Sequence, residues 1–355
     1  MELINYNSYK GKKVLITGHT GFKGSWLTYW LKEIGAEVFG YSLKPKTIPN
    51  HFDLLISDLK SSFNNICDLK RLKKFVNETN PEIIFHLAAQ PLVRQSYIDP
   101  IETYQTNVIG TANLLESIKN NQFVKAVIVI TTDKCYKNLN QSQGYKESDV
   151  LGGYDPYSSS KACVELLVSS FRDSFFNPKE YGNKHQVLVA TARAGNVIGG
   201  GDWSEDRLIP DLVKNAISNK ITKIRYPNAT RPWQHVLDPL MGYLMLGEKL
   251  LKGETQFAQA WNFGPKEFDI LTVKELALKS QKLWNKIEFE VQNNHNELHE
   301  ATFLSLNIDK ATTLLGWKPK WNSSEAIKKT IEWYEKFYNS NLILTDKQLK
   351  EFISQ

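Results

Sequence analysis

A tyrosine and a lysine four residues apart could work together as a base. Tyr157 and Lys161 occur in the stretch Tyr-Ser-Ser-Ser-Lys. On a helix, this spacing puts both side chains on one face. There the ammonium can lower the pKa of the phenol, so that the tyrosine can take a proton from a substrate hydroxyl. Such a base is required when an alcohol is oxidised by hydride transfer to a nicotinamide.

A glycine-rich turn near the N-terminus indicates where that nicotinamide cofactor would bind. The turn lies between the apolar run Val14–Thr17 and the amphipathic stretch Phe22–Ile34. Glycines let the backbone approach a pyrophosphate, and the helix N-terminus offers free amides. The predicted cofactor contacts in this turn are Gly18, His19, Gly21, Phe22, Lys23 and Gly24. Each motif alone is weak, but the two in this order are a strong signal.

The second strand after the turn lacks the acidic residue that usually binds the adenosine ribose. The segment Tyr-Ser-Leu-Lys at residues 41–44 contains no carboxylate, and His19, Lys23 and Lys44 are cationic or polar instead. Physical reasoning alone therefore favours a 2′-phosphorylated cofactor or weak binding of NAD.

Apolar strands alternate with helices through the first half of the chain. The predicted strands are 14–17, 37–41, 83–87, 126–131 and 187–190, and the predicted helices between them include 22–34, 103–120 and 157–176. Continuous apolar strands separated by helices are typical of a parallel sheet covered on both faces. The sequence therefore predicts an α/β fold, a Rossmann-type doubly wound parallel sheet with a smaller mixed C-terminal substrate domain.

The regular alternation of strands and helices is lost after residue 195, which predicts a domain boundary there. We expect a dinucleotide-binding domain at 1–195 and a nucleotide-sugar-binding domain at 196–340, from which some segments can return to the sheet. Helices are predicted at 208–217, 271–283 and 323–338. Residues 341–355 are polar enough to be expected to fray as a tail.

Composition limits the classes of partner and compartment. There are 44 Lys+Arg and 38 Asp+Glu, a net charge of +6, and the basic residues are dispersed, which argues against a nucleic-acid groove. Cys67, Cys135 and Cys163 form neither a metal-binding spacing nor an even disulfide set. Met1–Asn5 does not begin a secretory signal, and no stretch approaches ~20 apolar residues. We expect a soluble cytoplasmic protein without a bound metal and without membrane contact.

Three polar residues follow the strand at 126–131. Thr132, Asp133 and Lys134 should therefore lie at the carboxyl edge of the sheet, where ligands bind in such folds. They could supply a hydrogen bond, an acid, and a base or electrostatic partner.

Two further segments could touch the cofactor. Asp68 could accept a hydrogen bond from the adenine amino group, or it could be an ordinary N-cap of the next helix. Leu87, Ala88 and Ala89 end a strand on small side chains, as is needed where backbone lies against a flat cofactor.

Several residues of the second half could contact substrate phosphates. They are Arg193, Asn196, Arg207 and Arg231. Trp203 and Trp233 could stack on a base, although buried packing is the commoner role of tryptophan, and His235 is more typical of a structural histidine.

At this point the sequence resembles the extended short-chain dehydrogenase/reductase family, from Lys13 to about Trp321, and within it the branch that acts on cytidylyl sugars. The segments that carry the resemblance are 18–26, 86–94, 132–136, 157–161, 194–203, 231–235 and 315–319. The histidine and lysine of the glycine turn, and the triplet Thr132-Asp133-Lys134, indicate the branch. Within segment 86–94, Gln90 and Arg94 are expected to bind substrate.

The resemblance implies an internal redox cycle with NAD as cofactor, and this outweighs the leaning towards a 2′-phosphate. Tyr157 takes the proton of the sugar 4-hydroxyl while the C4 hydride leaves, water is lost across C5 and C6, and the hydride returns to C6. The expected substrate is CDP-glucose. Asp133 would be the acid for the departing hydroxyl, and Lys134 either the C5 base or a stabiliser of the enolate.

The resemblance also implies a homodimer or homotetramer that pairs through the helices at 103–120 and 157–176, and a place in deoxysugar biosynthesis, including that of lipopolysaccharide O antigen. Two alternatives stay open. A nucleotide-sugar 4-epimerase shares Tyr157 and Lys161 but needs no acid and base at C5 and C6. A catalytically silent dinucleotide-binding regulator would bind cofactor without turnover.

Overall fold

The computed structural model describes residues 6–141, 143–266, 269–292 and 304–355. The segment Met1–Asn5, on which the expectation of no secretory signal rests, lies outside the described residues. Among the helices in those ranges, none has the combination of length and apolar character that crossing a bilayer requires.

The strands, numbered along the chain, are β1 (Lys13–Thr17), β2 (Glu37–Ser42), β3 (Lys60–Phe63), β4 (Ile83–His86), β5 (Ala126–Ile130), β6 (Leu188–Ala194), β7 (Val197–Ile198), β8 (Thr222–Ile224), β9 (Thr230–Arg231), β10 (Gln234–His235), β11 (Ala260–Phe263), β12 (Leu271–Thr272) and β13 (Phe289–Val291).

The α-helices are α1 (Phe22–Glu33), α2 (His51–Leu55), α3 (Leu69–Thr79), α4 (Val93–Ile98), α5 (Pro100–Tyr104), α6 (Gly110–Ile118), α7 (Pro156–Phe175), α8 (Leu208–Ile217), α9 (Leu237–Leu251), α10 (Val273–Leu283), α11 (Asp309–Thr313), α12 (Ser323–Ser340) and α13 (Thr345–Ser354).

Seven parallel strands of the described chain form the central sheet, in the order β11-β6-β5-β4-β1-β2-β3. The register places Val14 of β1 beside Val38 of β2 and Ile83 of β4. Strand order reverses at β1, so the connections leave it in opposite directions and open a crevice at the carboxyl ends of β1 and β4. The predicted Rossmann-type parallel sheet is confirmed.

Side chains of successive strand residues enter two separate cores, one on each face of the sheet. In β1, Val14 and Ile16 pack into the core that also contains Trp26 of α1 and Leu240 of α9. Leu15 points to the other face and packs with residues of α3, α6 and α7. The alternation explains why these strands are apolar throughout, since neither face meets solvent.

The second half of the chain adds short strand pairs beside the sheet. β7 pairs with β10 and β8 with β13, both parallel, and β9 with β12, antiparallel. β11 instead returns to the large sheet and pairs with β6. The division at residue 195 stays a prediction, because the chain crosses between the two regions after that point.

The helix predicted at 103–120 is interrupted. α5 and α6 are separated by a π-helical turn at Gln105–Ile109. Within this turn Asn107 is buried and donates to Gln90 O (3.1 Å) and to Ser160 Oγ (2.8 Å). A π-turn inserts one extra residue per turn, and such insertions frequently occur beside functional sites.

The expected frayed tail at 341–355 is wrong. This segment forms α13, and Leu349 and Phe352 are fully buried. The Phe352 ring lies edge-on to Trp30 (5.9 Å) and Trp321 (5.1 Å). The apolar spacing Leu349, Phe352 gives one buried helix face despite the polar composition. Similarly, the helix predicted from 271 begins at Val273, because Thr272 caps it with Glu275 in a capping box.

Candidate functional site

A single large cleft of about 990 Å³ lies along the carboxyl ends of the central strands. The glycine turn and α1 form one end, the segments after β4, β5 and β6 form the middle, and β8 with its following residues forms the other end. The cleft is therefore long enough to hold a dinucleotide and a second ligand end to end.

The glycine turn needs its glycines for backbone packing as well as for ligand access. Gly18 has φ +75°, and a Cβ there would lie 2.7 Å from Ala88 N. A Cβ on Gly24 would overlap the Gly18 carbonyl oxygen. Gly21 is the N-cap of α1 and supplies no side-chain hydrogen bond, so the first amides of α1 keep their donors for a ligand. This end of the cleft fits a pyrophosphate.

His19 is not the cation that the sequence suggested. Its ring is fully buried, makes a hydrogen bond through Nε2 with Ser61 (3.0 Å), and packs against Phe52. Burial lowers the pKa of His19 to about 4. The side chain is therefore neutral at physiological pH and does not line the cleft, although its backbone belongs to the turn.

Lys23, in contrast, faces the cleft. Burial and the neighbouring Arg207 guanidinium lower the pKa of Lys23 to about 7, against the opposing attraction of Asp133. Lys23 is therefore only partly protonated near neutral pH.

The segment after β4 lies against the turn. Leu87, Ala88 and Ala89 line the cleft, and Ala88 N donates to Thr17 Oγ1 (3.2 Å). Gln90 also borders the cleft, but its amide nitrogen donates to Leu92 O (3.1 Å) and Thr103 Oγ1 (2.9 Å). The Gln90 side chain therefore holds the segment after β4 in place. Its amide nitrogen is already bonded within the protein, which argues against the predicted contact of this group with substrate.

Asp68 caps α3, which is one of its two predicted roles; the contact with the adenine amino group stays a prediction. Its carboxylate accepts from Arg71 N (3.0 Å) at the start of α3 and pairs with Arg71 Nε (3.2 Å). The cleft wall nearby is formed by Asn64, Asn65 and Ile66 rather than by Asp68.

The predicted catalytic residues are brought together in one cluster. The Thr132 hydroxyl lies beside the Tyr157 phenol and acts to lower its pKa. Thr132 Oγ1 donates to Asp133 Oδ1 (2.9 Å), which also accepts from Lys134 Nζ (3.2 Å). Lys134 Nζ donates in turn to Asn196 Oδ1 (3.5 Å). The chain of contacts joins α7 to the ends of β5 and β6.

Asp133 is fully buried at the base of this chain. Its second oxygen, Oδ2, has no partner within the described residues and lies against Gly195, where an added Cβ would overlap it. Gly195 therefore leaves the space that the carboxylate occupies.

Burial is the largest effect on the pKa values of both Tyr157 and Lys161. Burial raises the pKa of Tyr157 to about 12, against the opposing effect of the Thr132 hydroxyl. Burial lowers the pKa of Lys161 to about 8, and its Nζ donates to Ile130 O (3.2 Å). The two side chains lie on one face of α7, as the spacing predicted.

Arginines from several elements line the cleft. Arg207, whose charge acts on Lys23 and Tyr157, pairs with Asp202 (2.8 Å), and Arg94 lies 3.7 Å from Asp206. Arg231 also lines the cleft, with Nη1 donating to Thr230 O (2.8 Å). Guanidinium groups in such a cleft fit a phosphate-bearing ligand.

Arg225 was not found from the sequence, because a lone arginine outside a motif carries no signal. It lines the cleft and lies 3.8 Å from Asp206, the carboxylate that Arg94 also approaches.

The predicted phosphate contact of Arg193 is wrong. The side chain is buried and pairs with Glu165 (2.8 Å), and Nη1 donates to Tyr136 Oη (2.7 Å). His235 is structural, as expected: its buried ring lies edge-on to Trp321 (4.7 Å). Trp203 packs in an aromatic cluster and donates to Tyr338 Oη (2.9 Å).

No group of three or more His, Cys, Asp or Glu side chains that could hold a metal ion occurs within residues 6–141, 143–266, 269–292 and 304–355.

Comparisons with known proteins identify the family of the chain. The family model described as GDP-mannose 4,6 dehydratase matches residues 15–330. The CDP-glucose 4,6-dehydratase of Salmonella typhimurium is 46% identical over 356 residues, which cover 99% of each chain. The human dTDP-D-glucose 4,6-dehydratase is 28% identical over 344 residues, covering 92% of this chain and 91% of that one.

Solved structures show the same fold at lower identity. The epimerase Mth375 from Methanothermobacter thermautotrophicus superimposes with a TM-score of 0.81 at 23% identity and covers 96% of each chain. The dTDP-glucose 4,6-dehydratase from Bacillus anthracis, solved in complex with NAD, gives 0.75 at 23% identity, covering 96% of this chain and all of that one (100%). By the match of the family model and the identity with the Salmonella protein, the chain belongs to the GDP-mannose 4,6 dehydratase family.

Proposed function

We propose that the protein is an NAD-dependent nucleotide-sugar 4,6-dehydratase that converts CDP-D-glucose to CDP-4-keto-6-deoxy-D-glucose and water. The observation that carries this proposal is the cluster of Tyr157, Thr132, Asp133 and Lys134 in the same cleft as the glycine turn. The 46% identity with a protein named CDP-glucose 4,6-dehydratase supports the choice of substrate.

The residues at one end of the cleft fit NAD. The uncapped N-terminus of α1 suits the pyrophosphate, and Leu87, Ala88 and Ala89 offer a flat wall. Bound there, NAD supplies a hydride acceptor for sugar C4 and, once reduced, the hydride donor for C6. Because His19 is neutral, one of the charges that favoured a 2′-phosphate is absent. Titrations should show tighter binding of NAD than of NADP, and the reverse order would contradict the cofactor assignment.

Tyr157 is the proposed base for the 4-hydroxyl. Removing its proton in a buried site requires a cation close by. Lys161, on the next turn of α7, is proposed to supply it, and the Arg207 guanidinium also acts to lower the pKa of Tyr157. Thr132 lies beside the phenol and likewise favours loss of its proton.

Asp133 and Lys134 are the proposed pair for loss of water. Asp133 borders the cleft, and its Oδ2 accepts no hydrogen bond from the described atoms, so this carboxyl is the proposed proton donor for the departing C6 hydroxyl. Lys134 donates to two oxygen acceptors, Asp133 Oδ1 and Asn196 Oδ1, both of which stabilise an ammonium. This arrangement favours Lys134 as a stabiliser of the enolate over Lys134 as the C5 base.

Four arginines that border the cleft are proposed to bind the diphosphate of the nucleotide sugar. Arg94, Arg207, Arg225 and Arg231 come from separate elements and all border the cleft. Bidentate arginines are well suited to phosphate oxygens.

The decisive experiment is incubation with CDP-, UDP-, GDP- and dTDP-glucose, with mass spectrometry to detect loss of one water. We expect the CDP sugar to react fastest. Tyr157→Phe should lower turnover by at least about a hundredfold, the usual contribution of a positioned base. Tyr97→Phe is the matched control, since its buried hydroxyl has no partner within the described chain and lies outside the cleft wall.

A 4-epimerase is the second candidate, because the epimerase Mth375 superimposes with the TM-score of 0.81. It would return a product of unchanged mass with inverted C4. A silent regulator would bind NAD and leave every nucleotide sugar unchanged.

We further propose a cytoplasmic homodimer or homotetramer that pairs through α6 and α7. Free thiols at Cys67, Cys135 and Cys163 support a reducing compartment. Apolar side chains are exposed on α7 and in the π-turn before α6, with Leu166 at 59% and Ile109 at 52%. Light scattering of the wild type and of Leu166→Glu tests the pairing, and a wild-type monomer would exclude it.

A further inference from the structure

Glu165 is a buried carboxylate one helical turn beyond Lys161. It is 3% exposed and lies on α7, which also carries Tyr157. The proposed reaction gives it no role. A buried charge is costly unless it is paired, so its presence beside the site needs an explanation.

Glu165 ties α7 to the ends of two strands. Oε1 accepts from Thr131 Oγ1, directly after β5, and Oε2 accepts from Thr191 Oγ1 (2.8 Å) on β6. Arg193 Nη2, also on β6, donates to Oε2 (2.8 Å). Thr131 immediately precedes Thr132 and Asp133, so the carboxylate fixes α7 against the segment that carries the other proposed catalytic groups.

Arg193 is anchored on its other side as well. Nη1 donates to Tyr136 Oη (2.7 Å) and to Glu147 O (3.1 Å), and the guanidinium lies over the Tyr136 ring (4.9 Å). Tyr136 Oη donates to Asn262 Oδ1 (2.7 Å) on β11. The ion pair therefore belongs to an interior hydrogen-bonded network that reaches the edge of the sheet, in which Arg193 Nε has no partner among the described residues.

The charges around Lys161 give Glu165 a second effect. Burial lowers the pKa of Lys161, and the groups that oppose this are the Glu165 carboxylate and then Cys135. His86 on β4 and Lys23 on α1 also face Lys161, since its charge contributes to lowering their pKa values. Among these neighbours, Glu165 is the only carboxylate that favours a protonated Lys161.

Glu165 itself is held ionised. Burial opposes its charge, but the Arg193 guanidinium and the hydroxyls of Thr131 and Thr191 overcome this and keep the pKa of Glu165 below its usual range.

We propose that Glu165, paired with Arg193, is a positioning residue that keeps Lys161 as an ammonium and holds α7 in register with the ends of β5 and β6. The inference rests on the proposed function insofar as Lys161 assists Tyr157 there.

The direct test is an NMR titration of Lys161 in protein labelled at the lysine ε-carbon, with NAD present and the signal assigned by Lys161→Arg. Glu165→Gln keeps the shape and the acceptor oxygen but removes the charge. We expect the titration of Lys161 to move down by about 1 to 2 pH units. Thr191→Val, which removes one hydrogen bond and no charge, should leave it within about 0.3 units. An unchanged titration in Glu165→Gln would overturn the proposal.

A second variant is needed because Glu165→Gln leaves Arg193 buried without its counter-ion, which can cost about 3–5 kcal/mol. In Glu165→Gln/Arg193→Met both charges are absent. We expect most of the lost thermal stability to return while the lowered Lys161 titration persists. A folded double variant with the wild-type titration would also overturn the proposal.

The pH–rate profile gives an independent measurement. If Lys161 loses its proton at lower pH in Glu165→Gln, the alkaline limb of kcat must move to lower pH. A purely structural role would lower kcat by the same factor at every pH. The NMR titration needs no sugar substrate, so a wild type that fails to dehydrate CDP-glucose contradicts the proposed function alone, whereas an active enzyme with an unshifted titration contradicts only this inference.

Discussion

At the scale of single residues, Thr132 connects the proposed base with the proposed acid. Its hydroxyl lies beside the Tyr157 phenol, whose pKa it acts to lower, and donates to Asp133 Oδ1 (2.9 Å). Oxidation at C4 and loss of water at C5 and C6 occur at neighbouring carbons of one sugar. A contiguous chain of side chains can therefore serve both steps without moving the substrate.

Asp133 and Lys134 should affect the loss of water more than the first oxidation. In Asp133→Asn, hydride leaves C4 but the C6 hydroxyl has no acid, so NADH and the 4-keto sugar should accumulate in a single turnover. Rapid-quench mass analysis and nicotinamide absorbance measure both species.

Lys134→Met distinguishes the two roles left for this lysine. If Lys134 stabilises the enolate, exchange of the C5 proton with solvent should slow but persist; if it is the base, exchange should stop. Deuterium incorporation from heavy water measures this. An equal loss of hydride transfer in both variants, with no NADH observed, would show that the pair only positions substrate.

Gly195 should be necessary because of Asp133 rather than because of backbone conformation. A methyl group there would overlap Asp133 Oδ2, so Gly195→Ala must displace the carboxylate. We expect kcat to fall by at least about tenfold, with NAD affinity unchanged. Gly264→Ala is the control, since its methyl group would come no closer than 3.4 Å to Leu306. Equal activity losses in both variants would refute this explanation.

At the scale of elements, strand and helix identity followed from local pattern. β1, β4 and β5 are continuous apolar runs buried on both faces, and the predicted ranges agree with the structure to within about a residue. The spacing of Tyr157 and Lys161 and the position of the triplet after β5 likewise needed only local geometry, which is why their meeting in one cleft could be anticipated.

Other features depend on contacts between residues distant in sequence. From the sequence alone, Arg193 is expected to be an exposed cation. Its partner Glu165 is identified only once β6 and α7 are placed side by side. His19 reads as a charged turn residue until β2 and β3 surround it. The π-turn follows from the link between Asn107 and Gln90, which local propensity does not encode.

α13 illustrates the same dependence and yields a stability prediction. Phe352 is fully buried between Trp30 and Trp321. Phe352→Ala should lower the free energy of unfolding by about 3–5 kcal/mol, the usual cost of removing a buried phenylalanine. Lys350→Ala on the exposed face, where only the ion pair with Asp346 is lost, should change it by less than about 1 kcal/mol. Denaturant titrations compare them, and a negligible effect of Phe352→Ala would mean that α13 is not docked in solution.

At the scale of the whole molecule, burial keeps several histidines neutral. Burial lowers the pKa of His19 to about 4 and those of His51, His86 and His235 to about 3. Each ring makes hydrogen bonds or aromatic contacts inside the protein, as His51 does with Ser25 (2.8 Å) and Thr345 (2.8 Å). In the folded protein these histidines therefore stay neutral at pH values at which the unfolded chain would protonate them.

This sets the pH dependence of stability. Between the ordinary histidine pKa of about 6.5 and the lowered values near 4, the unfolded state binds more protons than the folded state, so stability is present above about pH 6.5 and is lost as pH falls. Each histidine should contribute about 1–3 kcal/mol to that loss.

We expect Tm to fall steeply between about pH 6.5 and 4.5, and the fall to be shallower in His235→Phe, which removes one titrating group. Trp321→Phe, which perturbs the packing against His235 but adds or removes no proton, should lower Tm without changing the slope. A slope in His235→Phe equal to that of the wild type would show that this ring is already protonated in the folded protein.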